Sequence, residues 1–461
     1  MDPHLVQDIA QLPDVMSMVH KHAAAVLEDV AERDVLPTRA MPEAQPLTES
    51  GIGLRAALDD FATRWEPCLS ASSGPRYWGF VTGGVTPAAL AGDWLTATWD
   101  QNAFSLLDAA GHHLEQEAVN WLRELFGIGP AHQGMFVSGA TMSNMVGLAI
   151  AREWLGQRLG IRPADDGAAA LGPVRVLSGN AHSSVSKALS VLGLGRKALI
   201  QVATIPGREA VDPRALEQAL QETSGPCIVV ANAGTVNTGD FDDIRAIAAL
   251  RDRYDFWLHV DAAFGAFAVL SPEHAHLADG LELADSICID LHKWLNVPYD
   301  SAVQFTRHRD LQTRVFHNAA AYLGPLGADA DPLHSVPENS RRLRALAAWF
   351  TLRAYGRAGH SEIVQRCIAC AHRLADGLGS IPELQLIAPV HLNVVCFTLT
   401  EDPTADRVNA LARRLHHQVF LTPTVLAGTP ALRAAFSNWR TTDTDVDTVL
   451  EAIADTVHDL T

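Results

Sequence analysis

Only four of the 35 basic residues are lysines: Lys21, Lys187, Lys197 and Lys293. Arginine meets the general need for positive charge here, and it cannot replace lysine where a primary amine must act as a nucleophile. Lys293 lies in Asp290-Leu291-His292-Lys293-Trp294-Leu295, with apolar neighbours on both sides. Alone, a lysine beside a tryptophan reads as a surface residue laying its stem on an apolar ring. Here it follows a short apolar run and stands 32 residues after a similarly placed acid, Asp261. Asp261 closes the apolar part of His259-Val260-Asp261-Ala262-Ala263-Phe264-Gly265. A carboxylate in that position is costly unless it meets hydrogen-bond donors or a cation. It either caps the next segment or pairs with a protonated ring nitrogen, holding a pyridinium in its electron-withdrawing form.

Three further segments offer chemistry. Val137-Ser138-Gly139-Ala140-Thr141-Met142-Ser143-Asn144 precedes an apolar helix expected over Met145–Trp154. It supplies the hydroxyls and amides that a phosphate finds at a helix N-terminus, although a plain Ser/Thr cap looks similar. His182, in Asn180-Ala181-His182-Ser183-Ser184, can stack on an aromatic ring, and Thr235, in Ala233-Gly234-Thr235-Val236, offers a hydroxyl. The glycines Gly193 and Gly195 follow a helix and not a strand, which argues against a dinucleotide fingerprint.

These residues meet only if the segments before them are strands of one sheet. Short β-branched runs at Val174–Leu177, Cys227–Ala231, Phe256–Val260 and Ser286–Ile289 alternate with helical stretches, from about Ser184 and over Asp243–Arg253. That alternation predicts an α/β fold with a mostly parallel sheet. Ligands of such sheets sit beyond the carboxyl ends of the strands. Five strand ends then present a phosphate cradle, an imidazole, a hydroxyl, a carboxylate and an amine. Together these are the parts needed to hold pyridoxal 5'-phosphate.

The rest of the chain divides around that sheet. Residues 1–75 read as an N-terminal helical segment, with a helix over Val15–Glu32 that stops before Leu36-Pro37. Residues 76–352 form the large cofactor-binding domain. A smaller C-terminal α+β domain follows over 353–461, after a helix over Ser340–Tyr355, with a second helix near Ser361 and a strand over Leu392–Leu399.

A net charge of −18 argues against nucleic acid and anionic membranes as partners. No apolar run approaches the roughly 18 residues of a spanning helix, and Met1-Asp2-Pro3-His4 does not open a secretory signal. Six cysteines in a chain of 461 residues are too few for a disulfide framework. Cys367 and Cys370 read as small residues on a packed helix, and His112-His113 and His416-His417 lack zinc-site spacing. A cytoplasmic enzyme without a metal is expected.

Taken together, the motifs resemble the group II pyridoxal-phosphate amino-acid decarboxylases, relatives of aromatic-L-amino-acid and glutamate decarboxylases. The resemblance runs from Pro75-Arg76-Tyr77-Trp78-Gly79-Phe80 through Asn339-Ser340-Arg341-Arg342 to Leu432-Arg433 and Asn438. It implies the pyridoxal-phosphate transferase fold of type I, a homodimer packed through its N-terminal helices, and carboxy-lyase activity giving an amine and carbon dioxide. By resemblance, Lys293 carries the cofactor as an imine and Asp261 pairs with its ring nitrogen. His182 stacks on the ring and Ala263 packs against a ring face. Ala140, Thr141 and His292 serve the phosphate end, and Thr235 lies near the cofactor. Tyr322 is the tyrosine that protonates the carbon left by carbon dioxide, on a loop rich in Gly, Ala, Pro and Asp. Arg433 and Phe80 fall in the substrate pocket, with Arg433 toward a carboxylate. Val236 replaces a second threonine, Asp290 replaces an asparagine near the phosphate, and Gly74 replaces a histidine before Pro75. An aldehyde synthase and an aminotransferase remain alternatives on the same fold; Tyr322 favours simple decarboxylation, since a phenylalanine there would favour the aldehyde.

Overall fold

Apolar runs too short to be helices form the strands, and the computed structural model, which describes residues 1–103, 109–318 and 332–458, aligns them in one large sheet. Its strands are β1 (Gln133–Val137), β2 (Val176–Ser178), β3 (Leu199–Gln201), β4 (Cys227–Asn232), β5 (Phe256–Asp261), β6 (Ser286–Asp290) and β7 (Ala302–Thr306). They lie in the order β1-β7-β6-β5-β4-β2-β3. Every pair from β6 to β3 is parallel, and β7 runs antiparallel to both β1 and β6. The expected mostly parallel sheet is therefore present. β1, β3 and β7 were not among the expected runs: β3 is only three residues long, and β1 and β7 pair antiparallel, outside the parallel series.

Strands β4 to β7 are buried at every position because helices cover both faces. The two-residue period of a strand sorts their side chains between two cores. Phe256, Leu258 and Val260 join the larger core with Ile287 and Ile289. Trp257 joins Val146, Leu148 and Ile150 in a second core. Those last three belong to a helix over Ala140–Leu159, which starts directly after β1 and Gly139. The same alternation turns His259 and Asp261, and on β6 Ser286, Cys288 and Asp290, toward that helix.

The helices expected over Ser340–Tyr355 and from near Ser361 are present as two helices within Ala345–Leu378 that meet at a kink at Gly356 (φ 58°, ψ −171°). The left-handed φ suits glycine, and the kink lets the second half pack under the smaller sheet. That sheet holds β8 (Leu384–Leu386), β9 (Val394–Leu399), β10 (Thr422–Leu426) and β11 (Thr429–Ala435), antiparallel in the order β10-β11-β9-β8. Cys367 and Cys370 are buried on the kinked helix, and all six cysteines are free.

The N-terminal segment is helical over Pro3–Ala10, Leu12–Asp29 and Leu54–Arg64, but of these helices only Val15 is buried. Leu5, Val6, Ile9, Leu12 and Met16 are all at least half exposed. No described helix is long and apolar enough to cross a membrane.

Candidate active site

A cavity of about 620 Å³ opens at the carboxyl ends of the large sheet, and Lys293, Asp261, His182, Thr235, Ala140 and Arg433 all line it. The two acids expected just past their strands are in fact the last residues of β5 and β6.

Lys293 stands on a single helical turn, Leu291–Trp294, immediately after β6. Hydrogen bonds from this turn and its surroundings fix it in place. Leu291 N–H donates to the Ser301 carbonyl (3.0 Å), and Gly83 N–H donates to the His292 carbonyl (3.2 Å). Asn296, buried and left-handed at φ 57°, donates through Nδ2 to the carbonyls of Gly83 (2.6 Å) and Ser437 (2.7 Å). The lysine Nζ lies 3.7 Å from Asp290 Oδ2 and 5.6 Å from the centre of the Phe264 ring.

Asp261 is 7% exposed and accepts from Asn144 Nδ2 (2.8 Å) and from the Ala263 N–H (3.2 Å). Among the described residues no lysine, arginine or histidine nitrogen lies within 4.0 Å of it. A buried carboxylate facing a cavity without a cation suits a protonated ring nitrogen.

His182 caps the helix Ser183–Val191 and accepts at Nδ1 from the Ser184 N–H (3.3 Å). Its ring lines the cavity. Desolvation pulls its pKa below the ordinary histidine value, against the opposing pull of Asp261. Ala140 and Thr141 open the helix Ala140–Leu159, ahead of its first turn bond from Ser143 N–H to the Gly139 carbonyl. Their amides are those a phosphate uses. At this end Asp290 Oδ1 and His292 Nδ1 approach to 2.9 Å without hydrogen-bond alignment, so both are buried polar atoms with no bonded partner.

Thr235 is also buried here, but its hydroxyl donates to Glu209 Oε2 (2.7 Å) and accepts from the Asp240 N–H (3.0 Å). Its hydrogen is thus committed to the loop's own architecture. Arg433 reaches in from β11 of the smaller sheet. Nη1 donates to the Val236 carbonyl (2.6 Å), Nη2 approaches the Phe80 carbonyl (3.4 Å), and Nε has no partner. Burial pulls its pKa below the usual arginine value, countered by Cys396 and Glu209; the guanidinium remains charged. No carboxylate lies within 4.0 Å of it among the described residues, so it is a buried cation facing the cavity.

Phe80 sits at the cavity mouth, left-handed at φ 57° and 56% exposed, with its amide held by Thr422 Oγ1 (2.9 Å). Tyr299, which the motifs did not single out, shares that mouth. Its ring lies 4.7 Å from the His292 ring and its hydroxyl 3.1 Å from Thr82 Oγ1. Tyr322 lies outside the described residues.

A lysine amine, a buried carboxylate and free helix N-terminal amides around one cavity of this α/β fold are a donor set that fits pyridoxal phosphate. Residues 40–400 match the family model described as "Pyridoxal-dependent decarboxylase conserved domain". The chain belongs to the pyridoxal-dependent decarboxylase family, and it is a pyridoxal-phosphate-dependent amino-acid carboxy-lyase. It is 28% identical over 385 residues to an aromatic-L-amino-acid decarboxylase of Bacillus atrophaeus, covering 80% of this chain and 78% of that protein. It is 30% identical over 437 residues to an L-2,4-diaminobutyrate decarboxylase of Rhizobium meliloti (strain 1021), covering 90% and 84%. A crystal structure of Oryza sativa TDC with PLP and tryptamine superposes with a TM-score of 0.90 at 23% identity, covering 98% of each chain; that likeness speaks to the fold.

Proposed function

We propose that Lys293 is the amine that binds the cofactor, that Asp261 is the acid at its ring nitrogen, and that the substrate is an L-amino acid with an aromatic side chain. The carrying observation is that Asp261 ends β5 and Lys293 stands on the turn that follows β6, the adjacent parallel strand; both line one cavity of about 620 Å³, and among the described residues no cationic nitrogen lies within 4.0 Å of Asp261. When bound, pyridoxal phosphate supplies the carbonyl that joins amines and the ring that accepts electrons from the broken bond.

The protein's own residues do the rest. The Ala140 and Thr141 amides, with His292, hold the phosphate end, while Thr235 supports the loop beside it. Asp261 holds a proton at the ring nitrogen, and the His182 ring and Ala263 close on the ring faces. Arg433 holds the substrate carboxylate, fixing which bond stands across the ring. Tyr322 donates the proton that replaces the carboxylate on Cα.

Phe80 and Tyr299 expose flat apolar surface at the mouth, which suits an aromatic side chain. A second ammonium, as in diaminobutyrate, would need a free carboxylate. The lining acids are Asp261, already assigned, and Asp290, beside Lys293 and His292. A panel of the twenty amino acids plus diaminobutyrate and dihydroxyphenylalanine, scored for amine, aldehyde, keto acid and carbon dioxide, tests this reading. Aromatic amines in step with carbon dioxide support it. A preference for diaminobutyrate, or aldehyde or keto acid as main product, contradicts it.

The enzyme is proposed to be a cytoplasmic homodimer, with the exposed side chains of Leu5, Val6, Ile9, Leu12 and Met16 supporting the dimer and six free cysteines supporting the compartment. Light scattering checks the first. The division at 75/76 and 352/353 is kept as a proposal; the helix Ala345–Leu378 crosses the second boundary.

A further inference from the structure

Asp261 ends a buried hydrogen-bond chain whose direction is forced at each link. Trp257 Nε1 can only donate, and it donates to Ser286 Oγ (3.0 Å). Ser286 Oγ keeps its hydrogen for its other partner, His259 Nδ1 (2.7 Å), the direction that the Asp261 end imposes. His259 is fully buried, and desolvation pushes its pKa down to about 4, so the ring is neutral and carries one hydrogen. With Nδ1 accepting, that hydrogen sits on Nε2 and points at Asn144 Oδ1 (2.9 Å). Asn144 then has its amino group for Asp261 Oδ2 (2.8 Å) and Ser184 Oγ (2.9 Å).

The Asp261 end sets this order. A carboxylate only accepts, so Asn144 must present N–H to Asp261. Ser184, accepting from Asn144, gives its own hydrogen to His182 Nδ1 (2.8 Å), where the Ser184 backbone N–H also points. Two donors on one nitrogen leave it bare. The proton of a neutral His182 then belongs on Nε2.

Helix approach makes this junction possible. Asn144 is fully buried and uses every polar atom of its amide. One turn on, a Cβ at Gly147 would lie 2.8 Å from His259 Cε1 and Nδ1 and 3.1 Å from Ser286 Oγ. Only glycine there lets the helix Ala140–Leu159 come down onto the strand ends.

We propose that Asn144 is a positioning residue whose single amide holds the Asp261 carboxylate and, through Ser184, fixes His182 with its proton on Nε2, the orientation of that amide being locked by Trp257, Ser286 and His259. Its bearing on catalysis rests on Asp261 and His182 being cofactor partners; the hydrogen-bond chain itself does not.

The test uses the full-length protein with ring-15N histidine, its His182 signals identified by their loss in His182→Gln. In the wild type at neutral pH, with or without pyridoxal phosphate, His182 should show a bare Nδ1 and a protonated Nε2. Asn144→Leu and His259→Leu should mix the two tautomers and weaken pyridoxal phosphate binding about 10- to 100-fold, as for a lost bond to a charged group. His259→Gln, which still offers N–H to Asn144, should keep the wild-type tautomer and Kd within about twofold. A wild-type His182 protonated on Nδ1 overturns the proposal, and so does an unchanged Kd in both leucine variants. Should those variants fail to fold, the wild-type spectrum decides alone. A wild type that binds no pyridoxal phosphate defeats the site assignment, while the tautomer still reports on the chain of bonds.

Discussion

Gly83 packs so closely on Lys293 that a Cβ there would collide with the lysine carbonyl oxygen and crowd Asn296 Nδ2 as well. The loop carrying Phe80 is thereby pressed onto the turn carrying Lys293. Relieving the collision means shifting the backbone, since no flexible side-chain end is available to give way. Gly83→Ala should therefore weaken binding of pyridoxal phosphate by at least about tenfold, the lower range for overpacking. Absorbance titration checks this, and wild-type binding would show that the turn has slack.

Asp261→Asn keeps the size of the side chain and removes its charge. Cofactor binding should change by less than about tenfold, while kcat falls by at least about 100-fold, the scale of a lost electrostatic partner. Steady-state kinetics at saturating cofactor separate the two. A kcat near that of the wild type would remove Asp261 from the ring nitrogen.

Arg433 offers its charge to the cavity while bonded only to carbonyls. Arg433→Met should raise KM for the amino acid about 10- to 100-fold, the cost of a lost charged hydrogen bond. Binding of a substrate amine, which has no carboxylate, should be nearly unchanged. Equal losses for both ligands would mean that Arg433 only supports the Val236 and Phe80 loops.

Acid should weaken the fold through His259. Its pKa falls from the ordinary 6.5 to about 4 on burial, so between those values the unfolded chain binds a proton that the folded chain refuses. This contribution is complete above about pH 6.5 and drains as pH falls toward 4, at up to about 1.4 kcal/mol per pH unit. His360, also lowered to about 4, acts in the same window. His259→Gln removes one of the two. Between pH 6.5 and 5, urea unfolding should show the variant losing about 2 kcal/mol less stability than the wild type. Parallel losses would mean that His259 is already charged in the folded protein.

Lys293 and Asp261 were readable from sequence because the strands before them are apolar runs that end abruptly in a charge. His182 and Thr235 were readable as polar residues a few positions past an apolar strand, though Thr235 spends its hydroxyl on Glu209, 26 residues earlier. Asn144 was read as part of the phosphate cradle. Its actual partners, His259 and Asp261, meet it only because a two-residue strand period and a glycine-floored helix face each other. Arg433 arrives from the other sheet, so only family resemblance could place it. Tyr299 follows the turn after Lys293 with no periodicity to mark it. The break expected before Ser361 lies at Gly356, whose non-helical backbone separates two helices.

Of the four lysines, Lys293 is the one proposed to carry the cofactor. Borohydride reduction of the enzyme with pyridoxal phosphate, followed by peptide mass mapping, reads it directly. The modification should fall on Lys293 and vanish in Lys293→Ala, together with the visible absorbance of the protein-linked cofactor. Stoichiometric modification at Lys21, Lys187 or Lys197, or an unchanged band in Lys293→Ala, would contradict it.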